Sequence, residues 1–134
     1  MTYNDTIKVF VNEKTYLEIY NIEKYSNYEY SMSINLMSYG FGVQEHVIYF
    51  NDLSGIISKL EMGFDKLSGD AGFRHQYEDD FISFEHTKHG HIRAYGNLFI
   101  HAEYSQKLEF EFDMDQTYIS DFIKNLKSVV KSLG

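Results

Sequence analysis

The chain has 134 residues, of which 43% are hydrophobic and 24% charged, which fits one globular domain over residues 1–134 and excludes wholesale disorder. It contains neither cysteine nor proline, so disulfides and thiolate metal sites are excluded and no backbone N–H is missing from a strand or helix. The net charge of −8 disfavours direct nucleic-acid binding and favours a basic protein partner, although the charge could also serve only solubility.

The amino-terminal residues, Met1 to Asp5, lack the basic and apolar regions of a secretion signal. No apolar run in the sequence is long enough to span a bilayer. We therefore expect a cytoplasmic protein that does not enter the membrane.

The first half of the chain predicts four strands followed by a helix. Alternation from Ile7 to Val11, a turn at 12–14 and a second run from Thr15 to Ile22 predict a hairpin. A third strand shows apolar side chains at every second position, namely Tyr28, Tyr30, Met32, Ile34 and Leu36. A glycine turn then leads to a fourth strand over 43–50.

The first predicted helix follows that strand directly. Its apolar stripe comprises Leu53, Ile56, Ile57, Leu60, Phe64 and Leu67. Either Asn51 or Asp52 can cap its amino-terminal end. Gly55 and Gly63 each weaken such a helix by about 1 kcal/mol relative to alanine.

The second half predicts a loop over 68–80, three strands and a second helix. The strands are expected at 81–86, at 91–103 as one long strand with Gly96 as a soft point, and at 108–114, with a turn at 88–90. The helix stripe comprises Ile119, Phe122, Ile123, Leu126, Val130 and Leu133. Asp115 is its expected N-cap, and Met114 and Ile119 are placed to form a hydrophobic staple.

These elements predict the α+β class. The expected architecture is a single twisted antiparallel sheet of about six or seven strands in the order ββββαβββα, with both amphipathic helices packed on one face. The other face would be open to solvent or to a partner.

Catalytic and metal-binding signatures are not evident in the sequence. His86, His89 and His91 lie close together, but alternation places His86 and His91 on opposite faces of the sheet and His89 in a turn. No nucleophile elbow, P-loop or dinucleotide fingerprint occurs. We therefore expect no enzyme activity, no metal and no cofactor.

One sheet face combines carboxylates with aromatic and basic side chains, as protein interfaces often do. The candidate partner-binding residues are Glu109, Glu111, Asp113, Phe99, Tyr95, Arg93 and His101. A hairpin turn at 104–106 would place His101 opposite Glu109 and Phe99 opposite Glu111. A solvated face with ordinary cross-strand pairs is the alternative, and the tyrosines between Tyr16 and Tyr30 admit the same two interpretations.

The carboxyl-terminal third resembles the WapI-type immunity proteins of bacteria. The resemblance is carried by GHIRAYGNL from Gly90 to Leu98 and by LEFEFDMDQTY from Leu108 to Tyr118. It implies a cytoplasmic protein that binds and neutralises a toxin domain, and it implies no catalytic residues. An acidic face would suit a basic toxin. The alternatives are a small-molecule-binding domain, with Tyr28, Tyr30 and histidines lining a pocket, and a self-associating structural subunit.

Overall fold

A computed structural model describes residues 1–66, 70–87 and 90–134 of the chain. Over these residues the chain forms nine strands and two helices. The bounds are β1 Thr2–Tyr3, β2 Ile7–Asn12, β3 Thr15–Lys24, β4 Glu29–Ser38, β5 Phe41–Asn51, α1 Leu53–Lys66, β6 Asp70–Arg74, β7 Phe81–His86, β8 His91–Ile100, β9 Gln106–Asp115 and α2 Gln116–Leu133.

The strands form two antiparallel sheets rather than one, so the prediction of a single sheet is wrong, whereas the α+β class is confirmed. The first sheet has the order β1-β3-β4-β5, with β2 also paired to β3, and the second has the order β6-β7-β8-β9. The sheets approach each other where β5 contacts β6 and β4 contacts β9. The helix α1 separates β5 from β6 along the chain, and the two strands do not pair.

Three register shifts interrupt the pairing of the first sheet, between Phe10 and Asn12, between Tyr20 and Glu23, and between Ile34 and Leu36, and the second changes which side chains face the core. In β3 the register shifts between Tyr20 and Glu23, and Asn21 adopts a positive φ of 48°. The shift turns Ile22 inward, so that it is buried with Ile19 despite an odd spacing along the strand. In the predicted third strand Tyr30 to Leu36 are buried at every second position as expected, but Tyr28 precedes β4 and is exposed.

The second sheet contains one strand that the sequence did not predict. β6 lies inside the expected loop over 68–80, of which residues 68 and 69 fall outside the described residues, and its short sequence DAGFR offers only two buried side chains, Ala71 and Phe73. β8 is the long unbroken strand expected across Gly96. At that glycine a Cβ would lie 2.0 Å from the backbone oxygen of Phe81, which explains why no side chain fits there.

Both helices begin as the sequence indicates. Oδ1 of Asp52 accepts a hydrogen bond of 3.0 Å from the Gly55 N–H, and a Cβ at Gly55 would meet the Asp52 carboxylate at 2.1 Å, so glycine leaves room for this cap. Asp115 caps α2 by accepting from the Thr117 N–H. In the described residues neither helix is long and apolar enough to cross a membrane.

A connected cluster of buried hydrophobic side chains receives contributions from both sheets and both helices. Its aromatic side chains contact one another in series, beginning with Phe50 of β5 and Phe73 of β6, whose ring centroids are 5.0 Å apart. Phe122 of α2 then packs against Phe73 and Phe84. The α2 stripe is confirmed, except that Val129 is fully buried and Val130 only partly. In α1, Leu53, Ile57 and Leu60 are buried; Leu67 lies outside the described residues.

Candidate protein-binding surfaces

The candidate residues on β8 and β9 share one face of the second sheet, the face that points away from the core. Even-numbered positions from Ile92 to Leu98 and from Phe110 to Met114 are buried, whereas Arg93, Tyr95 and Phe99 are half-buried and Glu109 and Glu111 are exposed. We call this the outer face. It comprises Arg93, Tyr95, Phe99, Lys107, Glu109, Glu111 and Asp113 with their β7 neighbours Phe81 and Glu85.

The predicted cross-strand pairs on this face are wrong in register. Phe99 lies opposite Lys107, Tyr95 opposite Glu111 and Asn97 opposite Glu109. Because β8 ends at Ile100, paired with Gln106, the connection is five residues long and begins earlier than expected. The observed register of β9 against β8 differs from the predicted one by an even number of residues, so each side chain lies on the face of the sheet that was predicted for it. His101 lies beyond the paired strand.

Arg93 is the centre of a fixed polar network on the outer face. Its Nε donates to Glu111, its Nη1 donates to Glu85 over 3.1 Å, and its guanidinium lies 4.0 Å from the ring centroid of Tyr95. The hydrogen bond to Glu111 raises the pKa of Arg93 above its ordinary value, so the group stays charged. Tyr95 in turn contacts the edge of Phe81.

Acidic groups outnumber basic ones on the outer face. Glu85, Glu109, Glu111 and Asp113 provide four carboxylates, whereas Arg93 and Lys107 provide two cations. The adjoining β6 adds one of each, Asp70 opposite Glu85 and Arg74 opposite Phe81, so the excess stays at two carboxylates. Lys107 forms an ion pair with Glu109 and lies over the Phe99 ring. The network leaves the face partly acidic and rigid, since the cations are bound to neighbouring side chains.

The histidines do not assemble into a metal site in the part of the chain that the structure describes. His86 pairs with Ile92 and shares the inward parity of Phe84, whereas His91 shares the exposed parity of Arg93, as the alternation predicts. Burial lowers the pKa of His86 below its ordinary value of 6.5. His89 and Lys88 lie outside the described residues.

A second surface was not singled out by the sequence. The rings of Tyr25, Tyr49, His75 and Tyr77 form a contiguous group, which we call the tyrosine surface. Tyr49 is central: its ring centroid lies 6.3 Å from that of Tyr25, 5.8 Å from His75 and 6.1 Å from Tyr77. The three tyrosines are exposed, with Tyr77 at 71%. The sequence gives only a weak indication of this surface, because its residues come from three separate segments: a turn, β5 and the β6–β7 loop.

The loop that carries His75 and Tyr77 is held by hydrogen bonds. Nδ1 of His75 accepts from the backbone N–H groups of Tyr77 at 3.1 Å and Glu78 at 3.3 Å, which requires an unprotonated nitrogen. The Gln76 N–H donates to the Tyr49 carbonyl oxygen. Burial lowers the pKa of His75, which favours the neutral ring.

Behind the tyrosine surface lies a buried histidine–carboxylate pair. Nε2 of His46 on β5 donates to Oδ2 of Asp80, whose side chain is only 2% exposed. Oδ2 also accepts from the Phe99 N–H at 3.4 Å, whereas Oδ1 is buried without a partner. The pair therefore links the first sheet to both the β6–β7 loop and β8.

The two surfaces adjoin. Nε2 of His101 lies 3.3 Å from Oε2 of Glu78, which is the neighbour of Tyr77, and Phe99 contacts Asp80 as described. The rings of Phe99 and His101 also stack. A strip of acidic and aromatic side chains thus runs from Asp113 along β8 to Tyr77.

The pocket expected for a small-molecule-binding domain is not formed by the tyrosines proposed to line it. Tyr30 is buried in the core against Phe50, whereas Tyr28 is exposed. An open depression of about 360 Å³ lies between the start of α1 and strands β6 and β7, with polar side chains such as Asp52 and Arg74 along it. Its shallow, polar character does not resemble the enclosed apolar sites that hold most small ligands.

Comparison with known proteins identifies no relative: no family model, curated protein or solved structure matches the chain. The functional interpretation therefore rests on the two surfaces and on the sequence resemblance.

Proposed function

We propose that this chain is a cytoplasmic immunity protein that binds and neutralises a basic toxin domain through the outer face of its second sheet. The observation that carries the proposal is the exposed arrangement of four carboxylates around a fixed Arg93–Tyr95 stack. Arginine and aromatic side chains are the residues enriched in the energetically dominant parts of interfaces. The resemblance of the segments 90–98 and 108–118 to WapI-type immunity proteins supports the nature of the partner.

Electrostatics favours a cationic partner over nucleic acid. The excess of carboxylates on the outer face adds to a net charge of −8, which repels phosphates and attracts basic proteins over distances of about 10 Å at ordinary salt. Arg93 and Lys107 are already paired with carboxylates of the same face, so the face keeps an acidic excess that a cationic partner can complement. Inhibition would follow from covering the toxin, with no chemical step by this chain.

Co-expression with the toxin domain encoded beside its gene tests the proposal. We expect the chain to restore growth to cells that produce the toxin and to bind the purified toxin domain. Asp113→Lys, a reversal on the outer face, should weaken binding, whereas Asp121→Lys, the same reversal on the exposed side of α2, should not. If the wild-type chain neither protects the cells nor binds the toxin domain, the proposal is refuted.

A subunit that self-associates through the same face would behave differently. Its mass in solution would exceed 15.8 kDa and would return to that value in Phe99→Asp. That outcome would replace the toxin proposal.

A further inference from the structure

We infer that the tyrosine surface, Tyr25, Tyr49, His75 and Tyr77, is a docking site for an arginine- or lysine-bearing segment of a protein partner. This inference rests on the proposed function in one respect only, namely that the partner is a toxin. The chemistry of the surface identifies the kind of segment independently.

The first argument is that two of these tyrosine side chains are exposed and are not needed for the hydrophobic core. Tyr77 is 71% exposed and Tyr25 is 55% exposed, and neither contributes to the buried cluster. Scattered single aromatic residues on a surface are ordinary, but four contiguous rings are a feature typical of interaction sites. Tyrosine offers a large contact area with few rotatable bonds, so its ordering on binding costs little entropy.

The second argument is that the surface is organised before any partner arrives. The loop of Tyr77 is closed by the His75 N–H, which donates to the Asp80 carbonyl oxygen over 2.9 Å, and by the two hydrogen bonds to the His75 ring. The hydroxyl of Tyr25 donates to Glu23 at 2.8 Å and lies 3.0 Å from the Ser31 hydroxyl. Side chains that are already fixed lose less freedom on binding, which strengthens an interface.

The third argument is charge complementarity. The strand ends on either side of the Tyr25 turn and the loop that carries Tyr77 contribute four carboxylates besides the buried Asp80, those of Glu23, Glu29, Glu78 and Asp79. Two cations flank the same segments: Lys24 lies over the ring of Tyr30, beside the core, and Arg74 lies over the ring of Phe81. Electron-rich ring faces surrounded by carboxylates attract guanidinium and ammonium groups. A cationic protein segment is therefore the occupant that this surface fits.

The ring centroids of Tyr25, His75 and Tyr77 each lie 5.8–6.3 Å from that of Tyr49, so the rings form a packed row and the segment would lie across it and not inside a cage. The adjoining outer face makes a larger footprint feasible, because Glu78 bridges to His101. A basic protein could contact both surfaces at once.

The first experiment uses a six-residue arginine peptide as the probe and a six-residue glycine–serine peptide as its control. In titrations followed by two-dimensional NMR at low salt, the arginine peptide should shift the amide signals of Tyr49, His75 and Tyr77 most. The double variant Tyr49→Ala/Tyr77→Ala should reduce that affinity at least about fivefold. Tyr39→Ala is the matched control, because Tyr39 is 67% exposed at the opposite end of β4 and lies outside the surface.

The inference would be overturned if the amide shifts occurred near carboxylates all over the molecule and the peptide bound the double variant and Tyr39→Ala with equal affinity. A doubled mass that the double variant abolishes would also overturn it, in favour of a second copy of the chain as occupant.

The second experiment uses the purified toxin domain. We expect the double variant to bind it at least about tenfold more weakly than Tyr39→Ala does. If the wild-type chain does not bind the toxin, the proposed function fails while the peptide titration still decides the tyrosine surface. If the wild-type chain and the double variant bind the toxin equally, the toxin does not use this surface and the inference fails for that partner.

Discussion

Asp80 is the residue whose removal should most disturb the junction of the two sheets. Its carboxylate accepts from His46 of the first sheet and from the Phe99 N–H of the second, and its side chain is 2% exposed. Removing this carboxylate leaves the His46 and Phe99 N–H donors without their acceptor, and each buried polar group left without a partner costs about 1–3 kcal/mol. Two features of this site reduce that figure: His46 is 13% exposed, and Asp80→Ala also removes the buried, unpaired Oδ1. We expect a loss of about 2–3 kcal/mol in the free energy of unfolding.

Urea unfolding followed by far-ultraviolet circular dichroism measures this loss. Asp79→Ala is the matched control, since Asp79 is the exposed neighbour and its replacement should change the free energy of unfolding by less than about 0.5 kcal/mol. In the double-mutant cycle, His46→Ala should cost much less once Asp80 is absent. If Asp80→Ala unfolds at the same urea concentration as Asp79→Ala, the pair does not hold the sheets together and the reasoning is refuted.

Three further changes have defined outcomes. Gly96→Ala should lower the free energy of unfolding by about 2 kcal/mol or more, because its Cβ would lie 2.0 Å from the Phe81 backbone oxygen; an unchanged urea midpoint would contradict the packing at β8. Asp115→Ala should cost about 1 kcal/mol through loss of the α2 cap, whereas Asp115→Asn should retain most of the stability. Burial lowers the pKa of His75 and His86 in the folded chain, so below pH 6.5 the unfolded chain binds more protons than the folded chain does. The free energy of unfolding should therefore be highest above pH 6.5 and should decline as the pH falls below it. His75→Asn, whose side-chain oxygen can accept the same backbone hydrogen bonds, should reduce that decline between pH 7.5 and 5.5, and an identical pH profile would contradict the role of His75.

Local features of the fold were predictable because they depend on neighbouring residues. The alternation through β8 and β9 fixed which side chains point outward, and this parity holds on both sides of Gly96. The caps at Asp52 and Asp115 followed from the same local chemistry. Both are consequences of backbone geometry over a few residues.

The division into two sheets was not predictable, because strand pairing depends on residues far apart in the chain. Nothing in the sequence of β5 and β6 shows that they meet at their edges without pairing, and β6 has only Ala71 and Phe73 as buried side chains. The β8–β9 register was missed because it depends on where the turn begins, and the five-residue connection offers no strong turn signal.

The tyrosine surface was missed for the same physical reason. Tyr25, Tyr49 and Tyr77 lie on three separate segments, and only the approach of the β6–β7 loop to β5 brings them together. The sequence did locate the outer face, whose role in binding stays a prediction.

Hydrogen–deuterium exchange of the chain with and without the toxin domain tests the central claim most directly. Bound toxin should slow exchange in the segments 75–80, 93–101 and 107–113, which carry the adjoining surfaces, and should leave the exposed side of α2 unchanged. Protection confined to α2 or to the β4–β5 turn, in a complex that still neutralises the toxin, would contradict the account.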